Sequence, residues 1–158
     1  MAAPSPTARG TPGGRMLENG HQTLITLSRV PTAKFWEIDP KPPTLDMGGA
    51  IDITTQHNVR ARTKAPKDLI DFGDAQVTVA WDPKFVDDLI DDHMGIDQTI
   101  TWEFPDGSTE AHFGFVDKFD RAALKEGEFP QATMTIVLSN RDSSGVEQLP
   151  VVTEVAGT

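Results

Sequence analysis

Apolar residues recur at every second position in several short stretches of this chain, and that period decides what it can become. In QVTVAW, Val77, Val79 and Trp81 fall on one side, with Gln76, Thr78 and Ala80 on the other. TITWEF sets Ile100, Trp102 and Phe104 against Thr99, Thr101 and Glu103, and ATMTIVL sets Met134, Ile136 and Leu138 against Thr133, Thr135 and Val137. HFGFVDKF is expected to place Phe113, Phe115 and Phe119 on one face and His112 on the polar one. TLITLSRV, KFWEI and AIDITT alternate more weakly, the last with Ile51 and Ile53 together. Successive side chains of a strand point to opposite faces, so one apolar row opposite one polar row describes an antiparallel strand with one side on a core and one side wet. Between TITWEF and STEAHFGF lies PDG, where proline presets the first turn position and glycine accepts positive φ, as a hairpin requires. The expected fold is therefore mainly β: two packed antiparallel sheets, a sandwich or barrel, flanked by one α-helix, with a long irregular loop at residues 55–74 and flexible termini.

The chain has 158 residues, of which 13 are Gly and 12 Pro, consistent with strands and loops rather than helices. That length supports a single core of roughly 100–120 residues. Residues 1–20, rich in Pro, Gly, Ser, Thr and Ala, read as a flexible N-terminal arm; residues 21–140 as the β domain; and residues 141–158 as a C-terminal extension whose VVTEV can pair as a strand if an edge is offered. The N-terminal stretch lacks the apolar region of a secretory signal, and no window reaches 18 consecutive apolar residues, so the expectation is a soluble protein made in a cytoplasm, with no membrane partner.

One segment breaks the two-residue period. Asp82 followed by Pro83 is a helix start, an N-cap acceptor and then a proline at the first helical position. At about 100° per residue, Phe85, Val86, Leu89, Ile90 and His93 share one arc, while Asp87, Asp88, Asp91 and Asp92 fill the opposite one. The reading is an amphipathic helix of about twelve residues ended by Gly95. DDLIDD contains Asp-Asp-x-x-Asp, a magnesium motif of prenyl-transferring enzymes. That chemistry needs a large all-helical cavity with a second acidic cluster across it, and one helix in a β chain cannot supply it. The aspartates read instead as a solvated face or as a surface touched by other copies.

No catalytic motif stands out. There are no cysteines, and the four histidines (His21, His57, His93 and His112) show no metal-binding spacing. No G-x-S-x-G or phosphate-binding glycine loop occurs, and acids are too abundant for a carboxylate pair to carry a signal. The chain is expected to be no enzyme and to use no cofactor or metal. Net charge is −10, against tight binding of nucleic acid. The charge is uneven: Asp82 to Glu128 holds 13 acids and 4 bases, whereas HNVRARTKAPKD holds Arg60, Arg62, Lys64 and Lys67 against Asp68. Opposite patches on one chain suit contact between neighbouring copies, with Arg60, Arg62, Lys64, Lys67, Asp87, Asp88, Asp91 and Asp92 as the candidate inter-subunit residues.

The order of parts resembles the major tail protein, or tail tube protein, of long-tailed bacteriophages. The resemblance lies in DFGDAQVTVAWDP before the lone helix, in TWEFPDGSTEAHFGFVDKF and in ATMTIVLS, and spans roughly residues 22–140. It implies a virion structural protein that self-assembles into hexameric rings stacked into a tube, built in the host cytoplasm, with DNA passing through unbound on its way to the host. It further implies a tape measure protein and tail terminator or tip proteins as partners. On that reading the polar faces with Thr99, Thr101, Glu103, His112 and Lys118 are candidates to line the channel. DMGGAIDITT and RARTKAP match no phrase of that family. The alternative is a β-sandwich binding module for carbohydrate or surface adhesion on a virion, which needs exposed aromatics on one face; Trp81 and Trp102 are expected in the core instead.

Overall fold

The computed structural model describes residues 23–29 and 35–154. The expected N-terminal arm at 1–20 lies outside them. Six strands form one antiparallel ladder: β1 (Leu24–Leu27), β8 (Gln98–Glu103), β9 (Thr109–Arg121), β10 (Gln131–Leu138), β7 (Ala75–Trp81) and β2 (Phe35–Lys41), in that spatial order. The long β9 joins two layers, because its first half pairs with β8 and its second half with β10. The ladder folds over until its ends meet, where Glu37 Oε1 accepts the Ile25 N–H at 2.7 Å. The expected packed antiparallel sheets are present, and between them lies one apolar core.

The alternating stretches fill that core as read. Val77, Val79 and Trp81 from β7, Ile100 and Trp102 from β8, and Met134, Ile136 and Leu138 from β10 are all buried. The hairpin at Pro105–Gly107 is also as read, with Gly107 at φ 86° and the Phe104 N–H bonded to Ser108 O at 2.9 Å.

β9 corrects the expectation. His112, Gly114 and Val116 face inward, and Phe113 and Phe115 are half-buried on the other side. The register explains both. Thr135 faces Lys118 but Ile136 faces Val116, so Asp117 is an extra, bulged residue. A single inserted residue exchanges the faces, which returns Phe119 to the core side, edge-on to Trp81 and Phe85. The three phenylalanines therefore do not share a face, and the buried His112 cannot line a channel.

The helix α1 starts where Asp82 accepts the Lys84 N–H on its side chain at 2.9 Å and the Phe85 N–H on its carbonyl at 2.8 Å. It runs as α-helix over Phe85–Asp88 and as a π-turn over Leu89–His93, shorter than the expected twelve residues. The Met94 N–H reaches back five residues to Leu89 O at 2.8 Å. The wider turn keeps Phe85, Leu89 and His93 buried in one column and swings Ile90, expected on the apolar arc, out to 63% exposure. Gly95 at φ 68° ends the helix as expected, and its N–H bonds Val116 O on β9 at 2.9 Å.

Candidate assembly surfaces

Residues 55–74, expected to be a long irregular loop, form the returning side of a hairpin arm whose outgoing side includes the weakly alternating AIDITT. Beyond β2 and β7, the same two chain runs continue outward as β3 (Leu45–Asp46) against β6 (Asp71–Phe72), then β4 (Ala50–Asp52) against β5 (Lys64–Pro66). Phe35 faces Trp81, Lys41 faces Gln76, Leu45 faces Phe72 and Asp52 faces Lys64, so both runs step outward nearly in phase. Two one-residue offsets interrupt the phase: a bulge between Glu37 and Asp39, and one extra residue in 67–70 opposite the kink at Gly48 and Gly49, both at positive φ. The tip is held by its own polar groups: the Asn58 amide donates to Ala61 O at 2.9 Å and to Thr63 Oγ1 at 2.6 Å.

Phe72 anchors the arm's root, buried and edge-on to His112 at 6.4 Å. From Leu45 to Ile70 every residue is exposed except the half-buried Asn58 and Ala65. Seven of the exposed side chains are large and apolar: Leu45, Met47, Ile51, Ile53, Val59, Leu69 and Ile70. The sequence hinted at this through Ile51 and Ile53 alone. The rest was missed because nothing in a one-dimensional pattern says that a strand pair has left its core.

Arg60, Arg62, Lys64 and Lys67 all belong to this arm and are exposed, and among the described residues none of them is in an ion pair. The four aspartates lie on α1, with Asp87 and Asp91 exposed and Asp88 and Asp92 half-buried. Asp92 stands 3.5 Å from Arg29 at the end of β1. Among the described residues no ion pair joins the two candidate groups within one chain. Among the described residues no cluster of three or more His, Asp or Glu is arranged to hold a metal.

Among the described residues two histidines, His93 and His112, are buried. Gln98 Oε1 accepts the Arg29 N–H at 3.2 Å, so its amide nitrogen faces His93 Nδ1 at 3.0 Å and donates to it. His93 is therefore the neutral tautomer with its proton on Nε2, which has no partner. Burial holds its pKa below the ordinary 6.5, against the pull of the Gln98 bond, Asp92 and Asp88. Burial likewise lowers His112, although Glu110 Oε1 stands 2.9 Å from its Nε2, off the line of a good hydrogen bond.

The tryptophans divide. Trp81 and Trp102 are in the core as expected, while Trp36 on β2 is 62% exposed. Phe129, just before β10, is a second exposed aromatic ring. Among the described residues no helix is long and apolar enough to cross a membrane.

No family model and no curated protein sequence matches this chain. In structure it is similar to a chain in the cryo-EM structure of the anti-feeding prophage baseplate, reconstructed with six-fold symmetry. The TM-score is 0.54 at 7% identity, over 83% of this chain and 90% of the other. The likeness is one of fold.

Proposed function

We propose that this chain is a structural subunit of a bacteriophage tail tube, assembling with copies of itself into hexameric rings that stack around a channel for DNA. The arm is the observation that carries the reading. Seven large apolar side chains held in water on a hydrogen-bonded hairpin represent unused burial, worth about 1.5–3 kcal/mol for each that a partner covers completely. Its four cations, in no ion pair among the described residues, suit the exposed Asp87 and Asp91 of α1 on a neighbouring copy. The fold shared with a baseplate chain of six-fold arrangement supports a virion setting. The net charge of −10 suits a channel through which DNA slides, because attraction to phosphate would hold it. A tape measure protein and the terminator or tip proteins are the further partners of such a tube. On this reading the subunit needs no active site or cofactor, and assembly takes place in the host cytoplasm.

The test is negative-stain electron microscopy of the purified chain over a range of concentrations, beside a variant carrying Arg60→Glu, Arg62→Glu and Lys64→Glu. Rings or hollow tubes from the unsubstituted chain alone are expected, with circular dichroism unchanged in the variant. Normal tubes from the variant remove the cations from the interface. Persistent monomers from both, with glycan binding lost on Trp36→Ala, favour the binding module.

A further inference from the structure

β11 (Val151–Thr153) is β10 resumed. β10 runs along one edge of β9 until Leu138 faces Gly114; β11 takes up the same edge where Val151 faces Ala111 and Thr153 faces Thr109. Residues 139–150 between them leave the sheet and return. The excursion is closed on itself: the Asp142 N–H bonds Val146 O at 2.7 Å, the Gln148 N–H bonds Asn140 O at 3.0 Å, and Arg141 pairs with Asp97. Beyond Gln148 the hold on the sheet is slight. All three residues of β11 are exposed, and so are Val146 and Leu149. A cleft of about 350 Å³ lies where the returning segment crosses the sheet, between Leu149 and Val151 on one side and Thr99, Ala111 and Phe113 on the other. What keeps β11 in place is a three-residue ladder, not packed side chains.

The groups that bind β11 are backbone groups of β9, and an identical strand from another copy satisfies them equally. Pro150 precedes the strand and holds Leu149 away from helical geometry, so the segment enters β11 extended. If the excursion opens, residues 139–150 reach up to about 40 Å at ~3.3 Å per residue, enough to cross to an adjacent subunit. We infer that β11 is an exchangeable strand: in the assembly, the β9 edge at Thr109–Ala111 is completed by Val151–Thr153 of a neighbouring copy. This rests on the self-assembly proposed above.

The chain has no cysteine, which makes the test direct. Ala111 and Val151 are directly opposite partners, at a spacing a disulfide spans. The double variant Ala111→Cys, Val151→Cys, oxidised after assembly and run on a non-reducing denaturing gel, is expected to give a ladder of covalent multimers. The two single variants, mixed before assembly, are expected to give a cross-linked dimer that neither gives alone; this second measurement stands if the double variant folds poorly. Assemblies that dissolve into monomers with an internal link, and no dimer from the mixture, overturn the exchange and leave self-assembly standing. If the unsubstituted chain forms no assembly at any concentration, self-assembly fails and the exchange fails with it.

Discussion

The body and the arm of this protein are built from the same hydrogen-bonded pattern and solve opposite problems. The two runs that form β2 and β7 in the body, where Phe35 and Trp81 face each other in the core, form β4 and β5 in the arm, where the exposed Ile51 faces the half-buried Ala65. In the body, side-chain burial holds the strands; in the arm, backbone pairing and a polar tip hold them without it. A ladder of backbone bonds therefore does not imply a core, and stability and assembly divide between the two regions of one hairpin.

That division can be broken most severely from the body side. Trp102→Ala, which removes a side chain 1% exposed, is expected to cost about 3–5 kcal/mol, read as a lower urea midpoint at unchanged slope. Next in size is Gly114→Ala. A Cβ there drives into the carbonyl oxygen of Val137 and sits 3.1 Å from Leu138 Cα, and both are backbone atoms that cannot step aside. A loss of about 1–3 kcal/mol is expected, by the same measurement.

The buried histidines give a smaller, pH-dependent effect. His93 and His112 have folded pKa values below the ordinary 6.5, so as pH falls past that value the unfolded chain takes up protons first. Their contribution is complete above pH 6.5 and is lost progressively on acidification below it. Urea midpoints measured from pH 7.5 to 5 are expected to fall, and His93→Leu is expected to flatten that slope. A variant as pH-sensitive as the parent assigns the dependence to other groups.

The smallest effect on the monomer, and the one that sharpens the comparison, comes from the arm. Ile51→Ala together with Ile53→Ala is expected to change monomer stability by only about 0.5 kcal/mol, since both side chains are already half in water, yet to suppress assembly in light scattering. A loss comparable to Trp102→Ala would mean that the arm is part of the folding unit.

What the sequence revealed follows the same boundary. In β7, β8 and β10 the two-residue period identified the buried face residue by residue, because burial on one side is what imposes that period. It failed at β9, where the bulge at Asp117 adds one residue and reverses the count while the letters HFGFVDKF give no sign of it. It failed in α1 for a related reason: the π-turn over Leu89–His93 changes the residues per turn, and Ile90 moves outward. The cations and aspartates were readable as two opposite patches, but not the arm that carries the first. Exposed strands need no apolar alternation, so 55–74 looked like a loop. His93 was read as packed, as it is, whereas Gln98, which fixes its tautomer, had no sequence signal at all.

The phase in which the arm's two runs leave the body restricts how such a protein can vary. Facing residues stay matched from the core to the tip, apart from a bulge between Glu37 and Asp39 and a second offset opposite Gly48 and Gly49. An insertion in one run alone reverses every side chain beyond it in that run, a matched single insertion keeps the partners but turns both runs over, and only a matched insertion of two residues preserves each face while moving Arg60 and Arg62 outward. The reach of this subunit is thus quantised: it lengthens or shortens in steps of two paired residues, about 6.8 Å, and relatives with arms of different length are expected to differ by equal, even numbers of residues on the two sides.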